Sequence, residues 1–252
     1  MLVSPELFII KKPKNKELDI YENTNLEDIF IEEIDTDFHN IKIVKNKIGK
    51  FLMFNETYQA GFIDTSFYKG NLPYINYFLL SYILNPKIKK ILLIGMGSGK
   101  VINDFEKLMP DLKKIDIIDI DPAVFQTAQK HFNFKKSEKT HFYVQDGRVF
   151  LRNIRTKYDL IIVDVAGNEG IPFRYMTEEF LQEAKKKLSP KGVLISNMFS
   201  SAEFTSSKNI ILKSFVNTFQ KNFKNVGIFK ADYSDKIFYK TFFNYDKRII
   251  DI

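Results

Sequence analysis

The chain has 252 residues and a formal net charge of +7, and its 44% hydrophobic and 27% charged residues are typical of a globular protein rather than a disordered or fibrous one. Cysteine is absent, which excludes disulfide scaffolds, thiolate zinc sites and a cysteine nucleophile. Because no apolar run is long enough to span a membrane and the N-terminus lacks the order of a signal peptide, we expect a cytoplasmic protein without a membrane partner. The lysines are spread over the whole chain instead of forming one stripe, which argues against a nucleic-acid partner.

The first part of the chain has short runs rich in Ile, Phe and Val, separated by turn-prone stretches. The runs are Leu7–Ile10, Ile29–Ile31, Ile41–Val44 and Phe51–Phe54. This pattern predicts a small antiparallel β domain over residues 1–60. Residues 72–84 carry apolar side chains on most turns and end before Asn85-Pro86, which predicts a helix.

From Lys90 onward, buried-type strands alternate with helices. The predicted strands are 91–94, 115–121, 141–144, 160–163, 193–196, 226–230 and 237–243. The predicted helices run to about 109, over 122–131, from 147, from 177 to about 190, and over 208–222. The alternation predicts an α/β fold, with a Rossmann-like, doubly wound and mostly parallel seven-stranded sheet, over residues 61–252. The closing pair of strands suggests one antiparallel strand inserted near an edge.

A glycine-rich turn, Gly95-Met96-Gly97-Ser98-Gly99, follows the first of these strands directly and precedes a helix. Glycines there let the backbone turn sharply and approach a ligand closely. The turn lacks the ending of a phosphate-binding loop, because Lys100 is followed by Val101. It therefore fits a nucleoside without phosphate, with Asp119 or Asp121 at the next strand end to accept bonds from the ribose hydroxyls.

Acids also follow the next two strands. Asp146-Gly147 ends the third strand, where the carboxylate either meets an adenine amino group or caps a helix. Asp164 ends the fourth strand, before a loop with Gly167, Gly170 and Pro172 that could act as a gate. Ligands of open α/β sheets bind at these carboxyl ends, so the pattern indicates a nucleoside site of the S-adenosylmethionine type.

These residues resemble the spermidine synthase family of aminopropyltransferases, or a spermidine-synthase-like protein on the class I S-adenosylmethionine-dependent methyltransferase scaffold. The match includes the small β domain in front, and it implies a class I methyltransferase-like sheet. The resemblance implies a glycine loop, a ribose acid, an adenine pair, a contacting glutamine, a catalytic aspartate and two active-site tyrosines. By that likeness the residues that bind the nucleoside are Gln59, Gly95, Gly97, Ser98, Gly99, Asp119, Asp146 and Gly147, and the catalytic residues are Asp164, Tyr74 and Tyr233.

The resemblance implies transfer of an aminopropyl group from decarboxylated S-adenosylmethionine, as a co-substrate, to an amine such as putrescine. An alkylamine has a pKa near ~10.4 and is mostly protonated at pH 7, so a carboxylate must accept its proton, and Asp164 is the candidate. Phe173, Tyr175 and Tyr233 could offer aromatic faces to the cationic sulfonium, or could be ordinary core residues. The resemblance also implies a homodimer or homotetramer. No metal site is expected, since the three histidines lie on unrelated elements.

The chain departs from the family pattern in the half of the site that would hold the amine. Ser98 and Gly167 stand where the family has aspartates, and Asn197 and His39 stand where it has glutamines. Loop acids could compensate, although each also fits an ordinary surface acid; they are Glu169, Glu203 and Asp232. Two other functions therefore stay open. One is a methyltransferase that uses S-adenosylmethionine itself, with Arg174 or Lys100 at its carboxylate, and the other is a non-catalytic nucleoside-binding protein.

Overall fold

A computed structural model describes residues 7–11, 27–64, 69–165, 171–200, 209–234 and 237–244. Four residues that the sequence singles out lie outside these ranges: Gly167, Glu169, Gly170 and Glu203. Asp232 and Tyr233 are described only as backbone positions of a strand, so their side chains also lie outside the description. Within the described ranges, no helix is long and apolar enough to cross a bilayer.

The larger sheet has eight strands in the order β1-β12-β13-β11-β10-β7-β8-β9. Its strands are β1 (Leu7–Lys11), β7 (Lys90–Ile94), β8 (Lys114–Asp119), β9 (Thr140–Val144), β10 (Tyr158–Val163), β11 (Leu188–Ser200), β12 (Val226–Ser234) and β13 (Ile237–Asn244). All pairings are parallel except those of β13, which is antiparallel to both of its neighbours. The predicted doubly wound, mostly parallel fold with one inserted antiparallel strand is confirmed, and β1 adds an eighth strand to the seven expected.

The described residues form six α-helices, of which α1 leads from the smaller sheet into β7 and the others lie between strands of the larger sheet. They are α1 (Pro73–Leu84), α2 (Lys100–Leu108), α3 (Pro122–His131), α4 (Gly147–Asn153), α5 (Glu178–Lys187) and α6 (Ile210–Asn222). Capping residues explain several starts, since the side chains of Asp121, Asp146 and Thr177 accept backbone N–H groups in the first turns of α3, α4 and α5. Helix α5 ends earlier than the sequence predicts because Pro190 disfavours helical backbone just before it, and β11 begins at Leu188 instead.

The smaller sheet is antiparallel, with five strands in the order of the chain. Its strands are β2 (Ile29–Asp35), β3 (Asn40–Asn46), β4 (Gly49–Phe54), β5 (Thr57–Asp64) and β6 (Lys69–Asn71). Two details differ from the sequence-based picture. The first strand, Leu7–Lys11, pairs with β12 of the larger sheet, and the smaller sheet continues past residue 60 to Asn71. Hydrophobic patterning shows that a segment is a strand but not which strand it will pair with. The division into domains of 1–60 and 61–252 stays a prediction.

The two central strands of the larger sheet are buried on both faces. Alternate residues of β7 and β10 point to opposite sides, each into its own apolar cluster. Ile91 and Leu93 pack with α1, α2, α3 and the smaller sheet, while Leu92 and Ile94 pack with α4, α5 and α6. Because β7, β8 and β10 run parallel, the residues that follow their carboxyl ends meet at one edge of the sheet.

Candidate functional site

The glycine loop follows β7 in a backbone conformation that requires glycine. Gly95, Gly97 and Gly99 all have positive φ angles, of 90°, 52° and 68°. A Cβ atom on Gly95 would lie 2.1 Å from the carbonyl oxygen of Asp164. The first glycine therefore lets the end of β7 lie directly against the end of β10, and the loop begins beside the aspartate that the sequence identifies as catalytic.

Asp119, at the end of β8, holds the glycine loop in place. Its Oδ2 accepts the backbone N–H of Met96 at 2.9 Å, and its Oδ1 accepts that of Asp121 at 3.1 Å. Burial raises the pKa of the Asp119 carboxyl group above its usual value. Each carboxylate oxygen can accept a further hydrogen bond, so Asp119 stays able to receive the hydroxyls of a ribose.

Asp121, the other acid that the sequence suggests for the ribose, has structural contacts. Its carboxylate is completely buried, and Oδ1 caps α3 by accepting the N–H of Ala123 at 2.9 Å. Oδ2 accepts the hydroxyl of Thr36 at 2.6 Å and lies 3.4 Å from Nδ1 of His39. His39 and Thr36 come from the turn between β2 and β3, so Asp121 ties the smaller sheet to the start of α3.

Asp164 lies directly after β10, with both carboxylate oxygens hydrogen-bonded. The side-chain amide of Asn197 donates to Oδ1 at 2.9 Å, and the hydroxyl of Tyr74 donates to Oδ2 at 3.2 Å. Burial raises the pKa of Asp164 to about 6, although both hydrogen bonds oppose the rise. The hydroxyl of Tyr74 also lies 3.4 Å from the backbone carbonyl of Gln59, so the backbone of Gln59 lies close to the pair formed by Tyr74 and Asp164.

A cleft joins Asp164 to the glycine loop. It is lined by Ala60, Tyr74, Ile75, Leu93, Gly95, Met96, Gly97, Ser98, Gly99, Lys100, Val101 and Asp164. The structure thus brings together the expected loop, the aspartate expected to be catalytic and one of the two expected tyrosines. Gln59, Asp119, Asp146 and Gly147 do not line this cleft.

Asp146 and its surroundings form a separate group at the start of α4. Oδ1 of Asp146 accepts the N–H groups of Arg148 and Val149, so the capping role that the sequence left open is present. Oδ2 lies 3.2 Å from Nη2 of Arg174. A Cβ atom on Gly147 would lie 2.2 Å from Ile94, which explains why the position after the cap is glycine. The sequence-based role at an adenine stays a prediction.

Two of the aromatic residues suggested for a cationic ligand differ sharply in exposure. Phe173 is 79% exposed, whereas Tyr175 is 2% exposed and packs edge-on against Phe180 with ring centroids 5.1 Å apart. The guanidinium of Arg174 already lies over the Tyr175 ring, at 5.2 Å from its centroid. Tyr175 is therefore a core residue that packs beside the larger sheet, and its ring already contacts Phe180 and Arg174.

Asn197 is the main residue of the site that the sequence did not assign a role. It appeared only as a departure from the family pattern, yet it donates the shorter of the two hydrogen bonds to Asp164. It is 3% exposed, and its Oδ1 has no hydrogen-bond partner among the described residues. Asn197 follows the predicted strand 193–196 and lies on β11, next to β10 in the sheet, so its position in the sequence was a signal that it would lie near Asp164. Within the same described ranges, no cluster of His, Asp and Glu is arranged to hold a metal.

Comparisons with known proteins show which family the chain resembles. The family model described as the spermine/spermidine synthase domain matches residues 79–238. A polyamine aminopropyltransferase of Vibrio vulnificus (strain CMCP6) is 37% identical over 155 residues, which cover 60% of this chain and 51% of that protein. One of Clostridium botulinum (strain Alaska E43 / Type E3) is 34% identical over 116 residues, covering 44% and 40%. The chain thus spans about half the length of the curated relatives it matches.

Solved structures with the same fold include spermidine synthases. A spermidine synthase in complex with the transition-state analogue AdoDATO has a TM-score of 0.71 at 19% identity, with 88% of this chain and 75% of that chain covered. The spermidine synthase of Thermotoga maritima has a TM-score of 0.70 at 18% identity, covering 88% and 74%. Human methyltransferase-like protein 13 in complex with SAH has a TM-score of 0.54 at 21% identity, covering 68% and 79%. At these identities the structures show a shared fold, while the family match, over more than half of the chain, shows that the protein belongs to the spermine/spermidine synthase domain family.

Proposed function

We propose that this chain transfers an aminopropyl group from decarboxylated S-adenosylmethionine to a small amine, with Asp164 as the base. The observation that carries the proposal is the placement of Asp164. It lies in the same cleft as the glycine loop, and its pKa of about 6 leaves it mostly ionised at neutral pH. The proposal also follows the names of the relatives, which are polyamine aminopropyltransferases.

The chemistry is a displacement at the carbon next to the sulfonium. The amine nitrogen forms a bond to that carbon while the carbon–sulfur bond breaks, and the electron pair returns to sulfur to give a neutral thioether nucleoside. An alkylammonium cannot attack, because its lone pair holds a proton. Asp164 accepts that proton and orients the lone pair toward the carbon, as a positioned general base does.

The two hydrogen bonds to Asp164 favour its ionised carboxylate, which is the form that can accept a proton. Without them, burial alone would raise the pKa of Asp164 further and leave less of it ionised at neutral pH. Asn197 and Tyr74 also fix the rotation of the carboxylate, since each holds a different oxygen. We assign them as positioning residues for the base.

The nucleoside would lie across the ends of β7, β8 and β9. In this proposal the glycine loop approaches the ribose and the sulfur, Asp119 accepts the ribose hydroxyls, and Asp146-Gly147 lies at the adenine. Gln59 and Tyr233 keep the roles that the family resemblance implies. Assembly as a homodimer or homotetramer and a cytoplasmic location are likewise predictions, and size-exclusion chromatography with light scattering tests the assembly.

A methyltransferase is the second candidate, and one observation favours keeping it. Lys100 lines the cleft with Asp164, and no carboxylate of the described residues lies within ion-pair distance of its ammonium. It could therefore meet the carboxylate of intact S-adenosylmethionine. The other cation suggested for that carboxylate, Arg174, is already paired with Asp146.

Binding of the two nucleosides separates these candidates. In isothermal titration calorimetry, we expect decarboxylated S-adenosylmethionine to bind more tightly than S-adenosylmethionine. Turnover with putrescine should then release the thioether nucleoside, detected by mass spectrometry. Tighter binding of the carboxylated form, together with methyl transfer to an added amine, would contradict aminopropyl transfer. Binding of either nucleoside without any turnover would favour the non-catalytic alternative.

Substitution of the base tests its role directly. Asp164→Asn should lower kcat by about 10²–10⁴-fold, the usual contribution of a general base, while nucleoside binding persists. Asp111→Asn is the matched control, because Asp111 is an exposed carboxylate in the turn after α2 and does not line the cleft. An Asp164→Asn protein that keeps the wild-type rate would exclude Asp164 as the base.

A further inference from the structure

A second cavity shares Lys100, at the start of α2, with the cleft. It has a volume of about 170 Å³ and is lined by Lys50, Phe62, Lys100, His131, Phe132 and Asn133. Cavities of about 150 Å³ hold a ligand as large as benzene, so this one has room for a small polyatomic ion. Nothing in the proposed reaction uses it.

The charged groups around this cavity are predominantly positive. Lys50 and Lys100 are both partly buried, and within the described part of the chain neither ammonium has a carboxylate within ion-pair distance. His131 contacts Glu32, and that acid also pairs with Lys130 at 2.6 Å. Hydrogen bonds from Lys130 and His131 lower the pKa of Glu32, so that carboxylate already has its partners. Among the described residues, no carboxylate is thus left to pair with the two lysines at the cavity.

The walls of the cavity hold these lysines in defined places. The ammonium of Lys100 lies 5.1 Å from the centroid of the Phe62 ring, and the ammonium of Lys50 donates to the carbonyl of His131 at 3.4 Å. The turn after α3 is itself fixed, because Asn103 donates to the carbonyl of Asn133 at 3.3 Å. Lys50 lies on β4 and Lys100 lies on α2, and both residues line the same cavity.

We propose that this cavity is a binding site for a small phosphate-type oxyanion. Partly buried ammonium groups lose hydration, and an anion between them replaces it with charge-assisted hydrogen bonds. A phosphate group suits two lysines better than a single carboxylate does, since it has more charge and presents acceptor oxygens in several directions. The anion could be inorganic phosphate or the phosphate group of an organic ester.

The test measures anion binding by isothermal titration calorimetry, with inorganic phosphate and glycerol phosphate as separate ligands at constant ionic strength. Thermal shift is avoided because phosphate stabilises proteins in general by exclusion from their surface. We expect saturable binding, weakened roughly tenfold or more in Lys50→Gln and in Lys100→Gln, since each loses one charge-assisted contact. Tighter binding of glycerol phosphate would identify an ester as the source, and equal or weaker binding would identify the free ion.

Two further variants keep the test decisive. Lys107→Gln removes an exposed lysine from the same helix, α2, and should bind phosphate as the wild type does. Lys50→Arg keeps the charge and should keep the site even if Lys50→Gln proves unstable. Absence of saturable binding to the wild type, or equal weakening in Lys107→Gln, would overturn the proposal. The titration needs no catalysis. Lys100 lines both cavities, but Lys50 does not line the cleft of Asp164, so the Lys50 variants test this site separately from the proposed reaction.

Discussion

Replacing Asp164 with asparagine should change the pH dependence of stability as well as the rate. Burial raises the pKa of this carboxyl group from an ordinary value of 3.8 to about 6. Between those values the folded protein holds a proton that the unfolded chain releases, so the free energy of unfolding falls as the pH rises. At about 1.4 kcal/mol per pH unit, the ionised carboxylate costs the folded protein about 3 kcal/mol above pH 6.

Asparagine has no charge to bury, so Asp164→Asn removes this dependence. Asparagine keeps only one acceptor oxygen, so at least one of the hydrogen bonds from Asn197 and Tyr74 is lost, which lowers the stability of the variant at both pH values tested. Urea unfolding of both proteins at pH 4.5 and 7.5 isolates the pH-dependent part. The variant should gain about 2 kcal/mol relative to the wild type between these two pH values. A difference that stays the same at both would mean that the pKa of Asp164 is not raised.

Three further substitutions test separate parts of the site. Asn197→Ala removes a donor to Asp164 and should raise the pKa of that base. The acidic limb of the profile of kcat/KM against pH should therefore move up by roughly one pH unit. An unmoved limb would contradict the positioning role of Asn197. Gly95→Ala places a Cβ against the carbonyl of Asp164 at a positive φ, and we expect urea unfolding to show a loss of about 2–4 kcal/mol; wild-type stability would contradict the close approach. Thr36→Val removes a donor to the buried Asp121 and should cost about 1–3 kcal/mol by the same measurement, whereas no loss would show that this link contributes nothing.

The predicted fold came from signals that depend on neighbouring residues alone. Strands β7 and β10 are continuous apolar runs because both of their faces are buried, and this is visible in the sequence. Helix α3 has the predicted bounds, because Pro122 follows a capping aspartate. The sequence did not show which strands pair with each other. It identified Leu7–Ile10 as a strand but not its parallel pairing with β12, since pairing depends on which strand edge is free.

The glycine loop and the acids at the strand ends could be predicted by themselves, because a parallel sheet brings the carboxyl ends of its strands to one edge. Only the tertiary structure decided what each acid does there. Asp119 and Asp121 are two residues apart and chemically the same, yet Asp121 is buried against Thr36 as a helix cap and Asp119 faces the glycine loop. The contact of Asn197 with Asp164 and the convergence of Lys50 with Lys100 likewise join residues far apart in the chain. The charge of the protein also has a part that the sequence determines and a part that the fold determines. Composition gives the net charge of +7. Only the fold places Lys50 and Lys100 at one cavity and the buried Asp164 in the neighbouring cleft.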